Sequence, residues 1–337
     1  MNNFDELSGK IAVVTGASGY LGSSLVDALV KRSCKVIRVS RRDLEPLANT
    51  RTFKADVRSA NTWDEIVAQA DIVYHLAGNT SVYDAAKNPD ESLNSTLLPL
   101  NHLIKSAQEL RRKPRIVFAS TATVYGLTPK LPVAETVVPK PLTVYDLHKL
   151  FAEKQLALAT QQNVLDGVSL RLANVYGPSI NMSSASDRGI LNRAATMALE
   201  GKDLVVYGDG SYLRDYIYIA DVVNAFLIAG LIPQLRGQSF NIGSGIGTTI
   251  IQAFMLAANQ ANRITGKTVA VRCVSWPEGV APIEFRTFTA DIDKYTVLTG
   301  WKPVVNLEDG ITLLISGGIE RERLKNLSKK AGTSYDF

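Results

Sequence analysis

A tyrosine and a lysine stand four positions apart in the stretch YDLHK, residues 145–149. On a helix, positions i and i+4 share a face, so Tyr145 and Lys149 would lie side by side. A phenol has an ordinary pKa near 10, and a cation within reach lowers that pKa by about 1 to 3. A phenol tuned in this way exchanges protons efficiently near working pH. The same spacing also suits an ordinary surface pair, so the choice depends on the elements that position the two side chains.

Short β-branched runs alternate with amphipathic stretches along the first half of the chain, and the runs are KIAVVTG (10–16), CKVIRVS (34–40), ADIVYHLAG (70–78) and PRIVFAST (114–121). Continuous apolar strands separated by helices predict a parallel sheet that is covered on both faces. We therefore expect an α/β fold with a Rossmann-type doubly wound parallel sheet. Ligands of such sheets bind beyond the carboxyl ends of the strands.

The segment GASGYLG, residues 16–22, follows the first predicted strand and precedes a helical pattern. A glycine turn between a strand and a helix lets the backbone approach a pyrophosphate, which the N–H groups of the helix start then bind. The spacing is GxxGxxG rather than GxGxxG, so it fits the general dinucleotide motif imperfectly. We nevertheless predict a dinucleotide site formed by Gly16, Ser18, Gly19, Tyr20 and Gly22.

The second strand ends in Ser40, Arg41 and Arg42, followed by Asp43. An NAD site usually has a carboxylate here for the ribose 2′-hydroxyl, whereas an NADP site has arginine near the 2′-phosphate. Asp43 lies a little beyond the position at which a carboxylate would bind the ribose 2′-hydroxyl. The sequence therefore favours NADP(H), with NAD(H) as the alternative.

Composition and charge narrow the class of protein. Among the 337 residues, 46% are hydrophobic and 20% charged, as in ordinary globular proteins. The net charge of +5 accompanies no nucleic-acid-binding module, and Cys34 and Cys273 have no metal-ligand spacing. The N-terminus has no signal-peptide pattern, and no run of about 18 apolar residues occurs. We expect a cytoplasmic protein without metal, membrane or nucleic acid.

Nine segments in order, spanning about residues 9 to 315, resemble the extended short-chain dehydrogenase/reductase family, in its branch that acts on nucleotide sugars. The segments are TGASGYLG (15–22), ADV (55–57), HLAG (75–78), ASTATVYG (119–126), YDLHK (145–149), RLANVYGP (171–178), GDGSYLRDYIYIADV (208–222), FNIGSG (240–245) and GWKP (300–303). Each segment is weak alone, and their order and spacing carry the resemblance.

The resemblance implies three catalytic roles. Tyr145 would be the general acid/base that exchanges a proton with a sugar oxygen as hydride moves to or from the nicotinamide. Lys149 would hold the nicotinamide ribose and lower the pKa of the tyrosine. Thr121 would hydrogen-bond the reacting oxygen, with Ser120 as the fallback if the alignment slips by one residue.

The resemblance also implies further binding residues. Asp56 would contact the adenine, and the other cofactor positions are Val57, Leu76, Ala77 and Gly78. On the substrate side, Arg214 and Arg286 would bind the diphosphate, because the planar fork of arginine binds phosphate through two hydrogen bonds. The other expected substrate contacts are Thr80, Ser81, Thr123 and Asn174.

The predicted organisation is a dinucleotide-binding domain over residues 1–177 and a smaller C-terminal substrate-binding lobe over residues 178–337. Elements near residues 213–245 are expected to return to the sheet of the first domain. The family resemblance also implies a homodimer formed through the helix that carries Tyr145.

The resemblance leaves the reaction open. Sugar dehydratases of this branch carry an acidic pair after the catalytic threonine, where this chain has Ala122 and Thr123. Arg41 and Arg42 favour an NADPH-dependent 4-keto reductase of a nucleotide-diphosphate (6-deoxy)hexose, with Tyr145 as general acid. The segment TATVYG instead favours an NAD-dependent nucleotide-sugar 4-epimerase, similar to UDP-glucose 4-epimerase. We rank the reductase first, the epimerase second, and a dehydratase or a non-catalytic NADP-binding protein behind both.

Overall fold

The computed structural model describes residues 4–128, 130–178 and 189–331, with side chains up to residue 319. Its strands are β1 Ile11–Thr15, β2 Lys35–Ser40, β3 Thr50–Lys54, β4 Ile72–His75, β5 Arg115–Thr121, β6 Asp166–Leu172, β7 Asn174–Tyr176, β8 Leu204–Tyr207, β9 Leu213–Tyr218, β10 Ser239–Ile242, β11 Gly247–Thr249 and β12 Val271–Val274. Its helices are α1 Tyr20–Val30, α2 Ala60–Gln69, α3 Val82–Lys87, α4 Pro89–Glu109, α5 Val144–Gln161, α6 Ile190–Leu199, α7 Ile219–Leu231, α8 Ile250–Thr265, α9 Asp293–Thr299 and α10 Leu307–Ala331.

The main sheet has seven parallel strands in the order β10-β6-β5-β4-β1-β2-β3. The predicted doubly wound parallel sheet is therefore confirmed. The strand order reverses between β1 and β4, where Thr15 pairs with His75. Such a reversal opens a crevice at the carboxyl ends of the strands, and a dinucleotide binds there in folds of this kind.

Both faces of the main sheet are covered by helices. On β1, Val14 faces the layer that contains Leu25 of α1 and Phe226 of α7. Its neighbour Val13 faces the opposite layer, which contains Leu103 of α4 and Leu156 of α5. Successive strand residues point to opposite faces, so a run that is apolar throughout is buried on both sides.

A smaller group of elements lies beside the main sheet. It contains the three-stranded sheet β11-β9-β7, the pair β12-β8, and helices that pack around Leu191, Phe254 and Ile311. From the C-terminal half, α7 packs on the main sheet and β10 joins its edge, whereas β9 does not join it. The division at residue 177 stays a prediction, and residues 179–188 of the predicted lobe lie outside the described residues.

Within the described part of the chain, no helix combines the length and the apolar character that crossing a membrane requires.

Candidate active site

The glycine turn of residues 16–22 lies between β1 and α1, at the strand reversal. Gly16 has φ +69°, and a Cβ added to it would lie 2.9 Å from the amide nitrogen of Ala77. A side chain on Gly22 would meet the carbonyl of Gly16. Helix α1 begins at Tyr20 with Gly19 as its cap, a residue that makes no side-chain capping hydrogen bond. This geometry suits a phosphate at the helix start.

The end of β4 is held against this turn by Thr15. Its hydroxyl oxygen lies 3.2 Å from the amide nitrogen of Leu76 and 3.1 Å from that of Ala77, and both amides donate to it. Burial lowers the pKa of His75, which contacts the same hydroxyl, to about 3, so that imidazole stays neutral. Gly78 has φ +153°, and a Cβ there would lie 3.7 Å from the Lys149 ammonium.

The end of β2 presents hydroxyl and guanidinium groups rather than a carboxylate. The backbone amide of Arg42 donates to the Ser40 hydroxyl at 3.1 Å, and that hydroxyl reaches Ser18 in the glycine turn at 3.4 Å. Arg41 and Arg42 are exposed. Asp43 pairs with Lys54 of β3 at 2.6 Å, so its carboxylate is engaged by a neighbouring strand.

Asp56 and Val57 form a fixed turn after β3. Arg58 binds the Asp56 carboxylate at 2.6 Å, and these hydrogen bonds lower the pKa of Asp56. The Val57 carbonyl accepts a hydrogen bond from the indole N–H of Trp63 at 2.7 Å. The carboxylate at the predicted adenine position is therefore held in its charged form by Arg58.

Tyr145 and Lys149 lie on the first turns of α5, and only 6% and 5% of each residue is exposed. The Lys149 ammonium donates to the Ala119 carbonyl on β5 at 2.9 Å and lies 6.0 Å from the centre of the Tyr145 ring. An ordinary surface pair would be solvated on both sides. The buried arrangement therefore favours the chemical interpretation of YDLHK.

Thr121 ends β5, and its hydroxyl lies 2.8 Å from that of Thr123. Ser120 faces the opposite side of the sheet, where it donates to Glu153, the buried partner of Arg171 at 2.6 Å. Neighbouring strand residues point to opposite faces. The geometry therefore supports Thr121 and not the fallback Ser120.

Thr123 and His148, which lie near the predicted catalytic residues, have unexpected hydrogen-bond partners. Thr123, predicted to contact substrate, donates its hydroxyl to the fully buried Asp146. Its only donor hydrogen is therefore directed into the protein, and a substrate contact of Thr123, which stays a prediction, would use the hydroxyl oxygen as an acceptor. His148 lies 2.9 Å from the Ser92 hydroxyl on α4, so it points away from the face shared by Tyr145 and Lys149.

The predicted diphosphate residues lie beside the small three-stranded sheet. Asn174 of β7 pairs in register with Tyr216 of β9. Arg214, only 4% exposed, donates to the carbonyls of residues 213, 284 and 286. A guanidinium engaged in this way positions the backbone around Arg286, and the contact of Arg214 with a diphosphate stays a prediction. Arg286 donates to the Ile283 carbonyl at 3.2 Å and is half-buried.

A family model described as the NAD dependent epimerase/dehydratase family matches residues 12–243. The chain belongs to this family. The resemblance to the extended short-chain dehydrogenase/reductases is thereby confirmed, and the protein is an enzyme of the nucleotide-sugar epimerase/dehydratase type.

Three similar proteins of this class show how far the likeness extends. UDP-glucose 4-epimerase of Mycolicibacterium smegmatis is 28% identical over 311 residues, which are 89% of this chain and 95% of the relative. The crystal structure of UDP-glucose 4-epimerase from Thermotoga maritima with UDP-glucose has a TM-score of 0.81 at 28% identity, covering 93% of this chain and 99% of that one. MoeE5 in complex with UDP-glucose and NAD has a TM-score of 0.79 at 27% identity, with the same coverage.

Some predicted residues of this epimerase/dehydratase-family enzyme serve other contacts. The Ser81 hydroxyl caps α3 by accepting from the Asp84 amide at 3.0 Å, and Thr80 directly precedes this cap. The Tyr20 hydroxyl donates to the Gly177 carbonyl at 2.8 Å. Tyr20 therefore joins the glycine turn to the segment after β7, in addition to starting α1.

Tyr216 and Asp146 were missed by sequence reasoning. The Tyr216 hydroxyl is buried without a hydrogen-bond partner among the described residues, and burial raises the pKa of this phenol to about 12. The sequence does place Tyr216 two residues after Arg214 in a predicted strand, so the two side chains lie on the same face, and this spacing could have indicated Tyr216. Asp146 had no such signal, because its partner Thr123 is brought to it only by the fold. The described residues contain no cluster of side chains that could hold a metal ion.

Proposed function

We propose that this enzyme is a nucleotide-sugar 4-epimerase, with a UDP-hexose as the preferred substrate class. One observation carries the proposal: Thr121 at the carboxyl end of β5 and Tyr145 and Lys149 on α5 are all buried, and Lys149 donates to the Ala119 carbonyl of β5. The names of the similar proteins support a uridine diphosphate sugar and a 4-epimerisation.

The glycine turn fits a dinucleotide, because Gly16 and Gly22 allow a close approach of backbone segments between β1 and the start of α1 where side chains would clash. A dinucleotide held there would supply reversible hydride transfer at sugar C4. Tyr145 would take the proton of the C4 hydroxyl in the first step and give it back in the second. Lys149, tied to the Ala119 carbonyl, would keep its positive charge beside the phenol and favour its ionised form.

On the substrate side, Arg286 would contribute charge to the diphosphate and Asn174 a polar contact. Tyr216 supports this assignment, since a buried hydroxyl without a partner is rare and a ligand oxygen would satisfy it. Arg214 would act through the carbonyls it holds at residues 284 and 286.

A second candidate, an NADPH-dependent 4-keto reductase, is favoured by the end of β2. Ser40, Arg41 and Arg42 suit a 2′-phosphate, and Asp43 is engaged by Lys54. The same groups make NADP(H) the cofactor to test first against NAD(H). A dehydratase is disfavoured, because Ala122 and Thr123 follow Thr121 where an acid pair would stand.

Identification of the resident dinucleotide separates these candidates. The purified protein is denatured and the released dinucleotide identified, and the native enzyme is then assayed for interconversion of UDP-glucose and UDP-galactose. Tightly held dinucleotide with interconversion and no net reductant supports the epimerase. The reductase would replace the epimerase if the protein releases no dinucleotide, consumes NADPH with a 4-keto sugar and does not interconvert the two UDP-sugars.

We also propose a cytoplasmic homodimer. Leu147, Phe151 and Leu158 form an exposed apolar row on α5, and Phe151 and Leu158 are 52% and 54% exposed. Leu93 of α4, which packs beside α5, extends the row. The double variant F151E/L158K should turn a dimer into a monomer in light scattering, while V304E at another exposed apolar site should not. A wild-type monomer would contradict the proposal.

A further inference from the structure

The hydroxyl of Tyr216 is a buried donor to which the described residues offer no acceptor. Tyr216 lies within β9, only 4% of the residue is exposed, and its hydroxyl makes no hydrogen bond among the described residues. Burying a polar group without a hydrogen bond is unfavourable, and phenylalanine would fill the same space without that penalty. The hydroxyl therefore indicates a partner that the described part of the chain does not supply.

The position of Tyr216 on the small three-stranded sheet places it among the predicted substrate residues. Arg214 lies two positions earlier on β9, and Asn174 of β7 pairs with Tyr216 in register. Residues two apart on a strand, and neighbours in register, point to the same face of a sheet. Asp215 points to the opposite face, where its carboxylate accepts hydrogen bonds from the backbone amides of two loops. Arg214, Tyr216 and Asn174 thus share one face.

Two positive charges act on this phenol. Burial raises the pKa of Tyr216 to about 12, while the guanidinium charges of Arg214 and Arg286 act in the opposite direction and lower the pKa. The phenol therefore keeps its hydrogen at neutral pH and lies within the electrostatic reach of both arginines. A donor beside two cations suits an anionic acceptor, because hydrogen bonds to charged groups are the stronger ones.

Tyr74 provides a contrast, because its buried hydroxyl also has no partner among the described residues. Tyr74 lies on β4 in the layer between the main sheet and α7, and a side chain at Gly230 of α7 would collide with its hydroxyl. Its strand carries none of the arginines or asparagines predicted to bind substrate. Tyr216 differs from Tyr74 in sharing a face with such residues, and this difference separates a ligand contact from packing.

We propose that Tyr216 is a further substrate-binding residue, whose hydroxyl donates a hydrogen bond to an oxygen of the nucleotide diphosphate. This inference rests on the proposed function, in which Arg286 and Asn174 contact the same diphosphate. The arginine supplies charge, and the phenol supplies a directed hydrogen. Because the hydroxyl is unsatisfied without ligand and satisfied in the complex, it lowers the stability of the ligand-free protein and strengthens the complex.

Removing the hydroxyl should therefore change stability and binding in opposite directions. Without ligand, Y216F should melt about 1 to 4 °C higher than wild type, because the unsatisfied group is gone. Y176F is the control on the same sheet, and it should melt lower, because the Tyr176 hydroxyl donates to the Asn306 carbonyl at 3.3 Å. A lower melting temperature for Y216F would show that its hydroxyl has an internal partner, such as an ordered water, and would overturn the proposal.

Titration calorimetry with UDP measures the effect on binding. Y216F should bind UDP about 10-fold more weakly than wild type, the size expected for one hydrogen bond to a charged oxygen. Y74F removes an unpartnered hydroxyl from the main sheet, and Y176F removes a partnered one from the small sheet. Both controls should bind UDP within about twofold of wild type. Equal affinity of Y216F and wild type, or an equal loss in all three variants, would overturn the proposal.

Related ligands locate the contact and separate this inference from the proposed function. Uridine, which has no phosphate, should bind wild type and Y216F equally, and UDP-glucose should show the same loss as UDP. A loss with uridine, or a loss confined to UDP-glucose, would place the hydroxyl at the nucleoside or the sugar and overturn the diphosphate contact.

A wild-type protein that binds dTDP or GDP instead of UDP would refute the UDP-hexose substrate, and the comparison of Y216F with wild type would then use that nucleotide. Binding of none of the three nucleotides would overturn both the substrate class and the diphosphate contact.

Discussion

The catalytic segment of the proposed function (residues 121–149) and its diphosphate side (Arg214 and Arg286) use polar side chains in different ways. In the catalytic segment, Thr121, Tyr145 and Lys149 lie within 29 positions of one another, and a backbone carbonyl of β5 holds the lysine. On the diphosphate side, Arg214 is buried under residues 284–286, about 70 positions away in sequence. In the proposed function, the first arrangement presents side chains to a ligand, and the second uses one to build the wall of the site.

The difference shows that residue type alone does not assign a role. An arginine that donates to several backbone carbonyls supports a loop, whereas an arginine with donors turned to a cleft binds phosphate. The hydrogen-bond partners of each arginine decide between these roles. Those partners depend on burial and on how segments distant in sequence pack together.

The largest effect should come from the catalytic segment. Y145F removes the proton acceptor while keeping the ring, and general acid/base groups contribute about 10²- to 10⁴-fold. Turnover should therefore fall by at least a factor of about 100. Dinucleotide affinity, measured by calorimetry, should stay within about threefold of wild type, since the ring and its packing remain. Full activity in Y145F would remove this residue from the mechanism.

Matched substitutions of the two arginines should sharpen the contrast on the diphosphate side. R214Q leaves buried carbonyls without donors and should lower the free energy of unfolding by about 2 to 4 kcal/mol. R286Q should instead raise KM for the UDP-sugar about tenfold, as expected for a lost charge-assisted hydrogen bond. Denaturant unfolding and steady-state kinetics measure the two effects. Equal losses of stability in both variants would contradict the different roles assigned to Arg214 and Arg286.

At the adenosine end, the pair Arg41 and Arg42 is exposed, so its replacement should change binding without changing stability. The double variant R41A/R42A should weaken NADP binding by about 10-fold or more and leave NAD binding nearly unchanged. R51A, on the neighbouring strand β3, serves as the control. If R41A/R42A weakens the binding of NADP and NAD equally, these arginines do not bind the 2′-phosphate.

The smallest effect should come from His148, although it stands between the two key residues of YDLHK. H148N removes the ring while keeping an amide that can reach Ser92, so turnover should stay within about twofold of wild type. A tenfold loss would show that the imidazole takes part in the reaction despite its orientation towards α4.

Much of the fold could be predicted from short-range sequence patterns. The apolar strand runs, the glycine turn and the spacing of Tyr145 and Lys149 each express a short-range rule, and the structure contains all three. The choice of Thr121 over Ser120 also follows a local rule, the alternation of strand side chains. From the sequence alone, the choice between Thr121 and Ser120 depends on the resemblance to the family.

The roles of Thr123, Asp146 and Arg214 could not be predicted in this way. Thr123 and Asp146 lie 23 positions apart and meet because β5 and α5 pack together. Tyr216 belongs to a buried cluster that also contains residues of α6, α8 and α10, and its lack of a partner among the described residues is visible only when these elements are in place. Such contacts depend on distances between elements, which hydrophobic periodicity does not encode.

By itself, the sequence determined the type of fold, the family and the positions that could carry a reaction, because strand alternation, helix periodicity and glycine turns act over a few residues. The tertiary structure alone decided how those positions are used. Packing buried the YDLHK pair against β5, directed the hydrogen of Thr123 to Asp146 and enclosed Arg214 among backbone carbonyls. Hydrogen-bond direction and burial are properties of neighbours in space, and only the folded chain brings those neighbours together.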